Sequence, residues 1–207
     1  MSKRCELYLR LRADALPAPE ELESIAREIA PAALLLTGLA GAPADGIRRA
    51  VDTAKRQTLA ILLEDDFELA AALDADGVHL RGDGEHLRAA RRLLGAQKSI
   101  GASCALSRHD AMEMAEAGAD YIAFGEIIGT GGRDIDALAG MIRWWDELVE
   151  LPSVVWLDDD AAEDDARRLV GAGADFLAVA LRRGDAGTDM TGLRRWAAIA
   201  GERSEPA

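Results

Sequence analysis

The chain has 207 residues, 49% of them hydrophobic, and a formal net charge of −13. That is enough apolar material for one substantial core, so a single domain over residues 1–200 is expected, with the aperiodic "GERSEPA" at 201–207 as a frayed tail. The negative charge repels nucleic acid, no run approaches the roughly 20 apolar residues of a membrane span, and "MSKRCELYLR" lacks the apolar stretch of a secretory signal, so a cytoplasmic protein without nucleic-acid or membrane partners is expected.

The first apolar run, "CELYLRL" (5–11), reads as a strand. "LESIAREIAPAALLLTG" then runs with helical period into a second strand, with Pro31 where a turn glycine would stand. "TLAILLED" (58–65) is a third strand, and "FELAAALD" leads through Asp-Ala into the fourth, "ADGVHL". "KSIGAS" (98–103) follows, then "HDAMEMAEA" passes into "GADYIAF" (118–124). "SVVWLDD" (153–159) is the seventh run, and "AEDDARRLVGA" passes into "GADFLAV" (173–179). A helix-turn-strand phrase thus occurs four times, interleaved with four other apolar runs, which gives eight strands with a helical stretch in each gap. Near-continuous apolar strands alternating with helices suit a parallel sheet. An open doubly wound sheet also alternates in this way, but the fourfold recurrence favours a closed TIM (β/α)8 barrel.

In such a barrel the chemistry gathers where the strands end. Those positions are Thr37 and Gly38, Glu64 to Asp66, His79 to Gly84, Ser103, Gly125 to Asp134, Asp158 to Asp160, and Arg182 with Arg183. Asp76, Asp120 and Asp175 fall at the opposite end and read as turn and cap groups. Asp65 suits either a helix N-cap or a metal ligand. "IIGTGGRD" is either a plain loop or an anion nest of glycine amides completed by Arg133. His79, a lone imidazole in an apolar strand, reads as a hydrogen-bonded core group. Cys5 and Cys104 read as buried small hydrophobes. Trp144 and Trp145 read as outer-layer packing, with a homodimer contact as the alternative.

Taken in order, "LLEDDFELAAALDADGVHLRGD", "IGAS", "AGADYIAFGEIIGTGGRD" and "AGADFLAVA" resemble the thiamine phosphate synthase family. The resemblance implies a TIM barrel that joins a pyrimidine diphosphate to a thiazole phosphate with Mg²⁺ and releases pyrophosphate. It places the family's metal-binding aspartate on Asp65, flanked by Glu64 and Asp66 where the family has asparagine and arginine. The second metal acid falls on Gly84, with Asp83 one residue away as its replacement. The family's substrate-binding serine matches Ser103, and its threonine-rich loop with a lysine corresponds to Thr130, Gly131, Gly132 and Arg133. The departures matter as much. The glutamine, arginine and lysine after strand two have no counterpart in "LLLTGLAGAP", the glycine pair after strand seven is Leu157 and Asp158, and the serine after strand eight is Leu181.

Three functions compete on this reading. The first is a divergent thiamine phosphate synthase with a rebuilt phosphate pocket, taking a small phosphorylated substrate. The second is a non-catalytic barrel of the same family that binds another ligand or a protein. The third is a different lyase or isomerase, since the fold does not fix the chemistry.

Overall fold

The computed structural model describes residues 4–125, 134–157, 160–184 and 187–202. Eight parallel strands close on themselves in chain order: β1 (Glu6–Arg12), β2 (Ala33–Thr37), β3 (Ala60–Glu64), β4 (Gly77–Leu80), β5 (Ser99–Cys104), β6 (Tyr121–Phe124), β7 (Ser153–Trp156) and β8 (Phe176–Ala180). Each is followed by a helix: α1 (Pro19–Glu28), α2 (Ala44–Arg56), α3 (Phe67–Leu73), α4 (Gly84–Leu94), α5 (Arg108–Glu116), α6 (Ile135–Leu148), α7 (Glu163–Gly171) and α8 (Met190–Ala200). The expected (β/α)8 barrel is therefore the observed fold, sealed where Tyr8 of β1 pairs with Ala178 of β8. A short antiparallel pair, β9 (Arg183–Gly184) with β10 (Gly187–Thr188), lies between β8 and α8 and has no apolar signal in the sequence. Among the described residues no helix is long and apolar enough to cross a membrane.

Side chains alternate between two cores, as the two-residue period of a strand requires. Along β1, Leu7, Leu9 and Leu11 turn outward to pack with the helices, and Tyr8 turns into the lumen with Leu35, Leu62, Tyr121 and Trp156. Trp145 is buried under α6 against Phe124 and donates Nε1–H to the Leu151 carbonyl at 2.7 Å, while Trp144 is half-buried beneath the Arg108 guanidinium. Both are outer-layer packing. Burial pushes the thiols of Cys5 and Cys104 up to about 12, so they stay protonated and behave as small hydrophobes.

The repeated Gly-Ala-Asp corner has a specific mechanical job. A carboxylate oxygen of Asp76 accepts the main-chain N–H of Ile61 at 2.9 Å, Asp120 accepts that of Ile100 at 2.7 Å, and Asp175 accepts that of Ser153 at 2.9 Å. Each aspartate, just before an even-numbered strand, thus latches the start of the strand that precedes it. They are turn groups, but none caps a helix. The residue two positions earlier makes the turn by taking positive φ: 104° at Gly173, 101° at Gly118 and 53° at Asp74. In the fourth copy Ala30, at 49°, takes that role; Pro31 does not, because its ring locks φ near −65°.

Candidate functional site

The carboxyl ends of β3, β4 and β5 carry the first half of the site. Asp65 follows β3 with φ at 55°, a conformation that aspartate tolerates better than most side chains. Its N–H donates to the His79 carbonyl at 2.9 Å. Its two carboxylate oxygens accept from Arg81, Oδ1 from the main-chain N–H at 2.7 Å and Oδ2 from Nε at 2.9 Å. Glu64 stands beside this pair, 3.6 Å from Arg81 Nη2, and takes the Gly38 N–H at 3.1 Å. The N-cap of α3 is Asp66, which accepts from Leu69 N–H at 2.8 Å, so Asp65 is free of the capping role.

Asp83 is the N-cap of α4 and accepts from the amides of His86 at 3.0 Å and Glu85 at 3.1 Å. Those amides, His86 first, hold its carboxyl below the usual carboxylate range. The donor set that Mg²⁺ would need is thus committed elsewhere: Asp65 to Arg81, Asp83 to its helix. Among the described residues no group of three His, Cys, Asp or Glu side chains is placed to hold a metal. As arranged, these residues do not fit Mg²⁺ unless Arg81 first releases Asp65.

Below the mouth runs a line of buried polar groups. Tyr8 Oη lies 2.8 Å from Tyr121 Oη, Tyr121 Oη lies 3.0 Å from His79 Nδ1, and His79 Nε2 lies 2.7 Å from Ser103 Oγ. Burial holds the imidazole neutral, its pKa lowered to about 3, and pushes both phenols up. Four protons therefore serve three bonds. If Ser103 donated toward His79, the spare proton would fall on Tyr8 inside the apolar lumen with no acceptor among the described residues. The favoured direction is Tyr8 to Tyr121, Tyr121 to Nδ1, and Nε2–H to Ser103, which leaves the Ser103 hydroxyl free to donate at the mouth. His79 is the core group expected, and it also orients Ser103.

The ends of β1 and β8 supply the other half. Arg10 turns inward, donates Nη2 to the Leu157 carbonyl at 3.0 Å and lies 5.0 Å above the Trp156 ring. Arg12, Arg182 and Arg183 surround it on the rim of one pocket. Arg10 and Arg12 are absent from the sequence-derived candidates, although a signal existed, and Arg81 falls within the strand-end stretch His79 to Gly84 but with no role assigned to it. In "ELYLRLR" the residues Tyr8, Arg10 and Arg12 recur at every second position, which puts both arginines on the lumen side of an otherwise apolar strand. Thr130, Gly131, Gly132 and Arg133, with Asp158 and Asp159 of the carboxylate run, lie outside the described residues.

A family profile for thiamine monophosphate synthase matches residues 43–182. A thiamine-phosphate synthase from Rhodospirillum centenum is 40% identical over 147 residues, covering 68% of this chain and 70% of that protein. Another, from Erythrobacter litoralis, is 42% identical over 125 residues, with 58% of each chain covered. In solved structures, the thiamine phosphate pyrophosphorylase of Pyrococcus furiosus superposes with a TM-score of 0.73 at 23% identity, covering 94% of this chain and 95% of that one, a likeness of fold.

Proposed function

This chain belongs to the thiamine monophosphate synthase family, and on that premise we propose that it joins a hydroxymethylpyrimidine diphosphate to a thiazole phosphate with release of pyrophosphate. The observation that carries the reading is the Ser103–His79–Tyr121–Tyr8 line, which holds a hydroxyl donor at the end of β5 where the family places its substrate-binding serine. In the reaction the carbon–oxygen bond to the diphosphate breaks, its electron pair leaves with pyrophosphate, and the thiazole nitrogen closes on the cationic carbon. What catalysis must supply is neutralisation of the departing charge. The Ser103 hydroxyl and the cations at the mouth are suited to that task.

The test is to incubate the purified protein with both substrates, with Mg²⁺ and separately with a chelator, and to measure thiamine phosphate and pyrophosphate. Equal amounts of both products support the reading; their absence in both conditions overturns it. One observation favours a second reading, a barrel that binds a phosphorylated ligand without turnover: Arg81 occupies both oxygens of the one family metal acid that this chain retains. Binding of either substrate without product would select it.

A further inference from the structure

Ser103 Oγ stands 2.7 Å from His79 Nε2, the spacing of a serine–histidine pair in which the imidazole takes the hydroxyl proton and makes the oxygen a nucleophile. The group on the far nitrogen decides whether it can. A carboxylate there accepts Nδ1–H and leaves Nε2 bare to act as a base. In this barrel the far group is the Tyr121 phenol, 3.0 Å from Nδ1, with Tyr8 Oη a further 2.8 Å behind it. Tyr8, His79 and Tyr121 are all buried, and Tyr121 is the one hydrogen-bond partner of Tyr8 Oη among the described residues. A phenol proton stranded in the lumen costs more than a Ser103 proton turned toward the mouth, so the donors run outward and Nε2 carries the hydrogen. An imidazolium would change nothing at that end, since its Nε2 is a donor as well.

The strand register builds this arrangement. His79 of β4 is level with Gly101 of β5, and Gly101 with Tyr121 of β6, so the phenol crosses bare backbone to reach the imidazole. The two rings stack with centroids 5.6 Å apart and planes 20° apart, and Trp156 meets the imidazole edge-on at 5.2 Å. With its plane held in this way, the ring keeps Nδ1 on Tyr121 and Nε2 on Ser103.

We propose that Tyr121 is a positioning residue that holds His79 as the Nε2–H tautomer, which fixes Ser103 as a hydrogen-bond donor to the bound ligand and denies it the base a nucleophile needs. The proposed function supplies only the identity of that ligand. Transfer chemistry through a serine ester is thereby removed from what this barrel can do.

The experiment has three readouts on the full chain at neutral pH. Nitrogen-15 NMR reads the His79 tautomer, its signals assigned by their loss in His79→Gln. Expected is Nε2–H in the parent and in Tyr8→Phe, and a mixture of tautomers in Tyr121→Phe, where Nδ1 has lost its donor. A proton on Nδ1 in the parent, or a tautomer unmoved in Tyr121→Phe, overturns the assignment. The double variant Tyr8→Phe/Tyr121→Phe strands no phenol and carries the same test if Tyr121→Phe does not fold. Calorimetry with hydroxymethylpyrimidine diphosphate should show Tyr121→Phe binding about two- to fivefold more weakly, because only part of the population then presents a Ser103 donor. In a Ser103→Ala background the same substitution should cost no further affinity, whereas an additive loss would mean that Tyr121 acts other than through Ser103. A fluorophosphonate, which labels base-activated serines, should leave Ser103 unmodified; stoichiometric labelling there overturns the proposal. An Nε2–H tautomer in a protein that makes no thiamine phosphate would sink the synthase reading and leave this one standing, and turnover with the proton on Nδ1 would do the reverse.

Discussion

Arg81 closes on Asp65 with two bonds, its main-chain N–H to one carboxylate oxygen at 2.7 Å and its Nε to the other at 2.9 Å. A built-in cation thus stands where a divalent ion would approach. Removing that side chain exposes Oδ2 of Asp65 beside Glu64, two hard oxygen donors within one small space. Arg81→Ala is expected to gain a Mg²⁺-dependent rise in melting temperature of about 2–4 °C, the size of a stabilisation near 1 kcal/mol in a domain of this length. The parent, without diphosphate, should not move. Thermal melts of both proteins in Mg²⁺ and in chelator decide it: equal shifts would mean that Arg81 does not compete with metal.

Ser103 is half-buried and takes its hydrogen bond from His79, so its own proton is the group offered to a ligand. Ser103→Ala should keep the fold and weaken binding of the phosphorylated substrate by about 5–10-fold, the worth of one hydrogen bond. Ser103→Thr restores a hydroxyl and should recover most of it. A Thr variant as weak as Ala would show that space at this position, and not the donor, sets the affinity.

The buried imidazole makes stability depend on pH with a definite sign. His79 has its pKa lowered to about 3 by desolvation, while an unfolded histidine titrates near 6.5. Between those values the unfolded chain binds the extra proton, so stability is complete above the upper value and is lost as pH falls, at up to about 1.4 kcal/mol per pH unit. Urea denaturation of the parent and of His79→Gln between pH 7 and pH 4 isolates this contribution. The variant should start less stable and have a flatter slope over the window; parallel slopes would remove His79 as the source.

The barrel is legible in the chain because its signal is repeated: four helix-turn-strand phrases and four further apolar runs each contribute a strand at its expected place. Site chemistry is less legible because it depends on which way a side chain turns. Tyr121 reads as one more apolar strand residue, yet its phenol enters the lumen only because Gly101 opposite has no side chain; a Cβ there would stand 1.9 Å from the ring. Asp83 matches the expected acid to within one residue in sequence, but its carboxylate turns back onto the amides of α4. Arg10 lies inside, and Arg12 just after, a run that hydropathy reads simply as a strand, so only the two-residue alternation points them at the mouth.

The three aspartate latches differ in depth, and depth should rank their energetic weight. Asp175 is 7% exposed and Ser153 only 1%, so truncating Asp175 strands both the amide and the hydroxyl of Ser153 away from water. Asp76 is half-buried, and Asp120 is exposed, with its latch reinforced by Arg91 at 2.6 Å. All three donor residues, Ile61, Ile100 and Ser153, are buried, but water can take the place of an exposed carboxylate and satisfy the amide again, whereas behind a buried carboxylate the donor stays unpaired at a cost of about 1–3 kcal/mol. Asp175→Ala should therefore lower stability by about 2–3 kcal/mol, Asp76→Ala by about half as much, and Asp120→Ala least of all, measured by urea unfolding near neutral pH. If Asp120→Ala were the most damaging, the Arg91 ion pair rather than the strand latch would be the stabilising element, and the repeated corner would owe its aspartates to something other than the amides they hold.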